Sequence, residues 1–229
     1  MVIYHVPMRI NKFVAQATGF SRRAADAAID AGRVLVNSQK PAVGYDVAEP
    51  DIVTLDGRAI TPVVKTTTIM LNKPVGYVVT RNGQGNRTVY DLLPPELHHL
   101  KPVGRLDKES SGLLLLTNDG QLAYQLTHPK FQKVKVYEIE LEKHLTAVDK
   151  ARVEAGVQLE DGLSKFKITH ESDGRQFRVL LTEGRNRQIR RTFTALGYNV
   201  VKLHRTQFGP YKLHNLKTGQ LIYVSKGTD

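Results

Sequence analysis

The sequence predicts an α+β chain in two parts: a small N-terminal α/β module, then a larger domain built on a mixed, mainly antiparallel sheet flanked by helices. Three observations predict it. Residues 9–62 place two short helical patterns ahead of several short strands. A brief stretch, 63–67, follows Pro62 and ends in polar residues. From Thr68 onward, strand-like segments outnumber helix-like ones, and several strands succeed one another with no helix between them, which disfavours a doubly wound sheet. A chain of 229 residues has room for one or two domains of ~150 residues.

In the first module, Ile10, Phe13, Val14 and Ala17 recur at helical spacing, and Gly19 closes that helix. Ser21 is placed to cap a second helix over Arg22 to Ala31, which Gly32 stops. Strands follow at Arg33 to Asn37 and Ile52 to Leu55, with a turn at Asp56-Gly57. In the second domain, strands are expected at Ile69 to Leu71, Tyr77 to Thr80, Gly112 to Thr117, Val134 to Glu142, Lys165 to His170, Phe177 to Glu183, Asn199 to His204 and Leu221 to Val224. Helices are expected at Gln121 to Leu126, Ala147 to Ala155 and Arg187 to Leu196. The run Leu113 to Leu116, bounded by Gly112 and Thr117-Asn118-Asp119-Gly120, suits a strand buried on both faces.

Charge narrows the partners. The net charge is +11, which favours a polyanion through phosphate contacts and counterion release. It is unevenly spread: residues 9–40 carry +4, residues 41–62 carry −3 and residues 183–212 carry +6. No apolar run approaches 18 residues, so no spanning helix is expected, and Met1 to Met8 does not read as a signal peptide. With no cysteine, disulfides, thiolate zinc sites and a cysteine nucleophile are excluded. That usage suits a cytoplasmic protein. The eight histidines fall in no ligand-like spacing, so no metal is expected.

Four groups of residues carry possible chemistry. Asp107 lies in Gly104-Arg105-Leu106-Asp107, on a turn just ahead of the buried leucine strand. It is either a turn-forming acid or a carboxylate anchored rigidly at the edge of a central strand, as a nucleophile or general base must be. The segment Glu183 to Arg191 feeds a helix with Ile189, Phe193 and Leu196 on one face and Arg187, Arg190 and Arg191 on the other. It is either a solvated basic helix or a phosphate-binding one with a single arginine turned inward. Arg190, just after Ile189, is the preferred inward arginine, where a guanidinium would keep a buried Asp107 ionised. Tyr137 is a strand tyrosine that either packs or faces a cleft, stacking on a base or moving a proton. Lys73, in the turn Asn72 to Tyr77, is a structural turn residue or a phosphate contact. No phosphate loop, dinucleotide fingerprint or Ser/His/Asp arrangement is present, so no cofactor is expected.

Two resemblances join these pieces. Met8 to Val14, Ser21-Arg22-Arg23-Ala24-Ala25 and Gly32-Arg33-Val34-Leu35-Val36-Asn37 resemble the S4 RNA-binding domain, which presents a basic face to folded RNA. Over about residues 8 to 225, the chain resembles pseudouridine synthases of the RsuA type, which act on ribosomal RNA. The most specific pieces are Gly104-Arg105-Leu106-Asp107, Ser111 to Gly120, and Glu183 to Arg191. Leu71-Asn72-Lys73-Pro74-x-Gly76, Lys135-x-Tyr137 and Leu203-x-Arg205 with Gly209 add to them.

The resemblance implies an S4-like domain at 8–62, a linker at 63–67 and a catalytic domain at 68–229. It implies that Asp107 is the nucleophilic aspartate, that Tyr137 meets the target base and that Arg190 pairs with Asp107. The reaction breaks the C1′–N1 bond of a uridine, turns the base and rejoins it through C5, with no energy donor. The uridine must leave its stack to be reached. RNA contacts are expected from Arg9, Lys12, Arg22, Arg23, Arg33 and Asn37 in the first domain. In the second they are expected from Lys73, Arg105, Arg185, Arg187, Gln188, Arg191, Lys202 and Arg205. Phosphate contacts carry no sequence information, so site choice is expected from RNA shape and domain geometry. A monomer acting on folded or partly assembled rRNA is the default. The rival reading is a non-catalytic RNA-binding ribosome-assembly factor, whose loss would leave every uridine unchanged. A DNA-binding protein has no helix-turn-helix or zinc pattern behind it.

Overall fold

A computed structural model describes residues 7–62, 66–170 and 173–225. The chain divides into two compact units, Met1–Lys65 and Thr66–Asp229. Of the expected linker 63–67, residues 63–65 lie outside the described residues.

In the first unit, β1 (Met8–Arg9) leads directly into α1 (Ile10–Thr18). Gly19 ends α1 at φ +79°, where its N–H reaches Ala15 O, a left-handed stop that glycine adopts freely. Ser21 caps α2 (Arg22–Asp30) by accepting from the Ala24 amide. Then come β2 (Val34–Val36), β3 (Asp46–Val47), β4 (Val53–Leu55) and β5 (Arg58–Ala59). Strands β2, β4 and β5 form one antiparallel sheet, and β1 pairs with β3. Ile10, Phe13 and Val14 of α1 meet Ala25, Ala28 and Ile29 of α2 over Val34, Val36, Val47 and Val53, one small closed core.

The second unit opens with β6 (Thr68–Lys73), β7 (Lys101–Pro102) and β8 (Ser111–Thr117). Next come α3 (Gly120–Thr127), β9 (Lys135–Leu141), α4 (Ala147–Ala155), β10 (Val157–Leu159) and β11 (Gly162–Ser164). The chain finishes through β12 (Lys167–His170), β13 (Gln176–Leu181), α5 (Gln188–Ala195), β14 (Val200–Phe208), β15 (Tyr211–Lys212) and β16 (Leu221–Tyr223). Among the described residues, the main sheet runs β12-β13-β9-β14-β8-β6-β16, with β15 on β14 and β7 on β8. Its pairs are antiparallel except β14 with β8, so the sheet is mixed as expected. The expected strand at Tyr77 to Thr80 does not form. The chain has just turned through Gly76 at φ +89°, and Val78 makes only an isolated bridge to Thr88.

Leu113 to Leu116 have no exposed surface. Leu114 and Leu116 enter the large core with Ile69, Leu71, Ile139, Phe193 and Leu203. Leu113 and Leu115 enter a second core under α3, with Leu122, Leu126 and Phe208. Strand β8 is thus the central plank with apolar cover on both faces, and the residues just before it are held by both layers. No helix among the described residues is long and apolar enough to cross a membrane.

Candidate active site

Asp107 sits on the turn into β8. The Ser110 amide donates to Asp107 O at 3.1 Å and closes the turn. Lys73, at the end of β6, is fully buried and directs its ammonium to the carbonyls of Pro74, Asp107 and Ser110 at 3.0, 3.1 and 2.7 Å. The Gly76 amide donates to Lys108 O at 2.8 Å. Burial lowers the Lys73 pKa from 10.5 to about 8, against the pull of the Asp107 and Glu109 carboxylates. Main-chain atoms of this turn are therefore gripped from below, while the Asp107 side chain keeps 32% of its surface.

The arginine-rich segment comes to the same place. Arg187 lies in the left-handed region at φ +45° and starts α5. Its guanidinium donates to Glu109 at 2.8 Å and lies 3.9 Å from an Asp107 carboxylate oxygen. The hydrogen bond to Arg187 holds the Glu109 carboxyl below its ordinary range. Arg190 turns inward, but the expected direct pair with Asp107 is not formed. Its two terminal nitrogens donate to Val200 O at 2.6 Å and Glu109 O at 3.1 Å, so it braces the turn through the backbone. Burial lowers its pKa, with Arg187 acting in the same direction and the Glu109 and Asp107 charges opposing. Position 107 is also less shielded from water than the sequence reading required.

One row of directly opposed residues crosses the sheet: Lys73 on β6, Gly112 on β8, Arg205 on β14, Tyr137 on β9 and Val179 on β13. Tyr137 thus lies two strands, about 10 Å, from the start of β8. It is 8% exposed within the core that holds Leu106 and Ile189, the neighbours of Asp107 and Arg190. Its hydroxyl has no hydrogen-bond partner among the described residues. Gly112 is required at its place in the row, because a Cβ there would stand 2.3 Å from Arg205 O.

Several expected RNA contacts are structural instead. Lys73 is buried, as described. Arg205 is 2% exposed and donates from Nε to Leu113 O at 2.8 Å, with its guanidinium 4.8 Å from the Phe208 ring. Gln188 is buried against Ser164 at 3.0 Å and against Glu183. Arg185 ties the β10–β11 hairpin by donating to Asp161 O, Gly162 O and Leu163 O at 2.9, 3.1 and 2.9 Å. Arg191 forks onto Asp161 at 3.0 and 2.7 Å. Lys202 alternates with core Leu203 and lies opposite Glu140, so it faces away from Tyr137. Arg105, Arg187 and Lys202 remain exposed. The sequence reading missed Glu109 and Asp161, which hold the arginines in place; two acids near basic segments were the only signal.

In the first unit, Arg22 and Arg23 are exposed and Lys12 is half-buried. Arg33 is forked onto Asp56 at 2.9 and 2.5 Å, and Arg9 pairs with Asp46 at 3.3 Å. Asn37 holds a turn, donating to Asp51 at 2.8 Å and accepting from the Ile52 amide at 2.9 Å. The basic face is therefore narrower than the count of arginines implied.

Comparison with known proteins matches residues 67–195 to the RNA pseudouridylate synthase family and residues 8–61 to the S4 domain. An RNA pseudouridine synthase of Aquifex aeolicus is 36% identical over 96% of this chain and 91% of its own length. The ribosomal large subunit pseudouridine synthase B of Bacillus subtilis is 34% identical over 92% of this chain and 89% of its length. A dual-specificity RNA pseudouridine synthase of Salmonella typhi is 34% identical over 93% and 74%. Other relatives are longer, and the chain spans 57% of the Pseudomonas aeruginosa synthase B. A crystal structure of a pseudouridylate synthase superposes with a TM-score of 0.69 at 29% identity, covering 96% of both chains. A synthase profile over more than half the chain, relatives aligned nearly end to end and a superposable fold agree: the chain belongs to the RNA pseudouridine synthase family, with an S4 domain ahead of the synthase domain.

Proposed function

We propose that this protein isomerises uridine to pseudouridine in ribosomal RNA of the large subunit, with the Asp107 carboxylate acting at the sugar. The carrying observation is the held turn: Lys73 fixes its backbone and Arg187 lies 3.9 Å from a carboxylate otherwise open to an incoming nucleoside. The names of the Bacillus subtilis and Pseudomonas aeruginosa relatives support the large subunit as the substrate source.

In this reading, the target uridine leaves its stack and enters beside Asp107. The carboxylate attacks C1′ or takes the 2′ proton, and the C1′–N1 bond breaks. The base turns and C5 bonds to C1′ as the aspartyl–C1′ bond breaks, or as the 2′ proton returns to C2′; the C5 proton is then lost and N1 gains a proton. No atom is gained or lost overall. Tyr137 lies against the base and is the group placed to handle a proton. Arg190 keeps the turn and α5 together, while Arg187 and Arg105 meet phosphate. Residues 8–62 add an RNA anchor through Lys12, Arg22 and Arg23, and residues 68–229 carry the chemistry.

The test is Asp107→Asn. Pseudouridine in an rRNA transcript, read by chemical labelling and primer extension, should disappear while RNA affinity stays near the wild-type value. Modification at the normal rate would remove Asp107 from the chemistry. Deleting the gene identifies the uridine; an unchanged rRNA map after deletion favours the assembly-factor reading.

A further inference from the structure

A patch of aromatic rings with no assigned role lies at the end of α3, close to Gly104 in the segment that carries Asp107. Helix α3 packs Leu122 and Leu126 against β8 and Phe208, and so runs back along the strand it follows. Its end therefore returns to the 104–110 segment, where the Thr127 methyl lies 3.8 Å from the position of a Cβ on Gly104. On the outer face, Tyr124 and His128 are one turn apart with ring centroids 4.8 Å apart. The chain then folds over in a short 3-10 turn, Pro129–Phe131, and sets Phe131 edge-on to Tyr124 at 5.6 Å. Lys130 lies over both rings, 5.0 Å from Tyr124 and 4.8 Å from Phe131. The Lys130 amide donates to His128 Nδ1 at 3.2 Å, which fixes the plane of that imidazole.

These groups stay in water. Tyr124 keeps 41% of its surface, and His128 and Lys130 are exposed. Residues 120–134 contain Lys130 and Lys133 and no acid. Aromatic faces interleaved with lysines, in a segment free of carboxylates, match a polyanion with flat bases better than an acidic or apolar protein surface.

We propose that Tyr124, His128 and Phe131, with Lys130, form a stacking platform for an unpaired base of the substrate RNA flanking the target uridine. The base stacks on Tyr124 and His128. Lys130 leaves the rings it covers and takes the adjoining phosphate. Because Thr127, the residue before His128, lies beside Gly104, three residues before Asp107, a strand bound on the platform is led along Arg105 towards the carboxylate. The platform thereby offsets the cost of extruding the uridine by holding its neighbour outside the duplex. This deepens the functional reading above, on which the choice of RNA rests.

The test uses the full chain with Tyr124→Ala, Lys130→Ala and Tyr124→Phe, each checked by circular dichroism for wild-type folding. The probe is a short single-stranded RNA carrying 2-aminopurine, followed by the rRNA transcript. Stacking should quench the probe with wild type and with Tyr124→Phe, and the quench should vanish with Tyr124→Ala. For each alanine variant, the RNA dissociation constant and KM should rise about tenfold, as the loss of one stacked base or its phosphate contact predicts, with kcat within about twofold. Folded variants with wild-type quench, affinity and KM overturn the platform. So does a loss seen only with protein-bound rRNA, which would make the patch a protein contact. Absence of pseudouridine with the wild-type enzyme would instead overturn the functional reading, and the quench would still decide the platform.

Discussion

The Lys73 ammonium donates to the main-chain oxygen of Asp107 at 3.1 Å, from a side chain with no exposed surface. A buried cation, rather than a loop alone, sets where the carboxylate stands. With Pro74 O and Ser110 O, it ties the end of β6 to the turn before β8. Lys73→Met keeps the length of the side chain and removes all three donors. It should lower kcat by roughly tenfold to a hundredfold through misplacement of Asp107, with little change in RNA affinity. Single-turnover kinetics with a binding isotherm separate the two; unchanged kcat counts against the positioning role.

The same lysine predicts a pH dependence of stability. Its folded pKa is about 8 against an ordinary 10.5. Between these values the unfolded chain holds more of this proton than the folded one, so stability from Lys73 rises with pH across that window. Below pH 8 the full cost of the buried charge is present. Urea unfolding of wild type and Lys73→Met should show the difference moving in favour of wild type from pH 8 to 10.5. A constant difference would mean that the ammonium is not desolvated.

Arg187 and Arg190 should separate by phenotype. Arg187 is exposed and held by Glu109, so Arg187→Ala should cost less than ~1 kcal/mol of stability yet weaken RNA binding. Arg190 satisfies two carbonyls from a partly buried position, so Arg190→Ala should cost roughly 1–3 kcal/mol and reduce kcat. Thermal melts paired with kinetics test the contrast; equal effects of the two variants would contradict it.

Gly112→Ala should be destabilising. The new methyl would stand 2.3 Å from Arg205 O, at a φ of +104° that side chains rarely adopt. A loss of roughly 1–3 kcal/mol or more is expected from forcing β14 off β8. Denaturant midpoints measure it, and a stability equal to wild type would show that the two strands are not so closely apposed.

Binding to rRNA should weaken steeply with salt, with a log–log slope of several units. Titrations at several salt concentrations read the slope. A flat response would contradict phosphate-dominated contact.

Local pattern made a large part of this protein legible. The 3.6-residue spacing of Ile10, Phe13 and Val14, the Ser21 cap and the Gly19 stop determined α1 and α2, because each acts within one turn of helix. The unbroken leucines 113–116 determined a strand covered on both faces, since no half-exposed strand tolerates such a run. The motif around Asp107 named the carboxylate. Pairing over long sequence distances was not legible. Only tertiary structure decided that Lys73 is an internal brace, that Arg205 lies under β8, and that Arg185 and Arg191 are held by Asp161. It also decided that Arg187, not Arg190, makes the charge contact with Asp107. A basic residue has the same letter whether it meets solvent, a carbonyl or a carboxylate. Which of these it meets depends on strands brought together from distant parts of the chain, so burial and partner are properties of the assembled sheet.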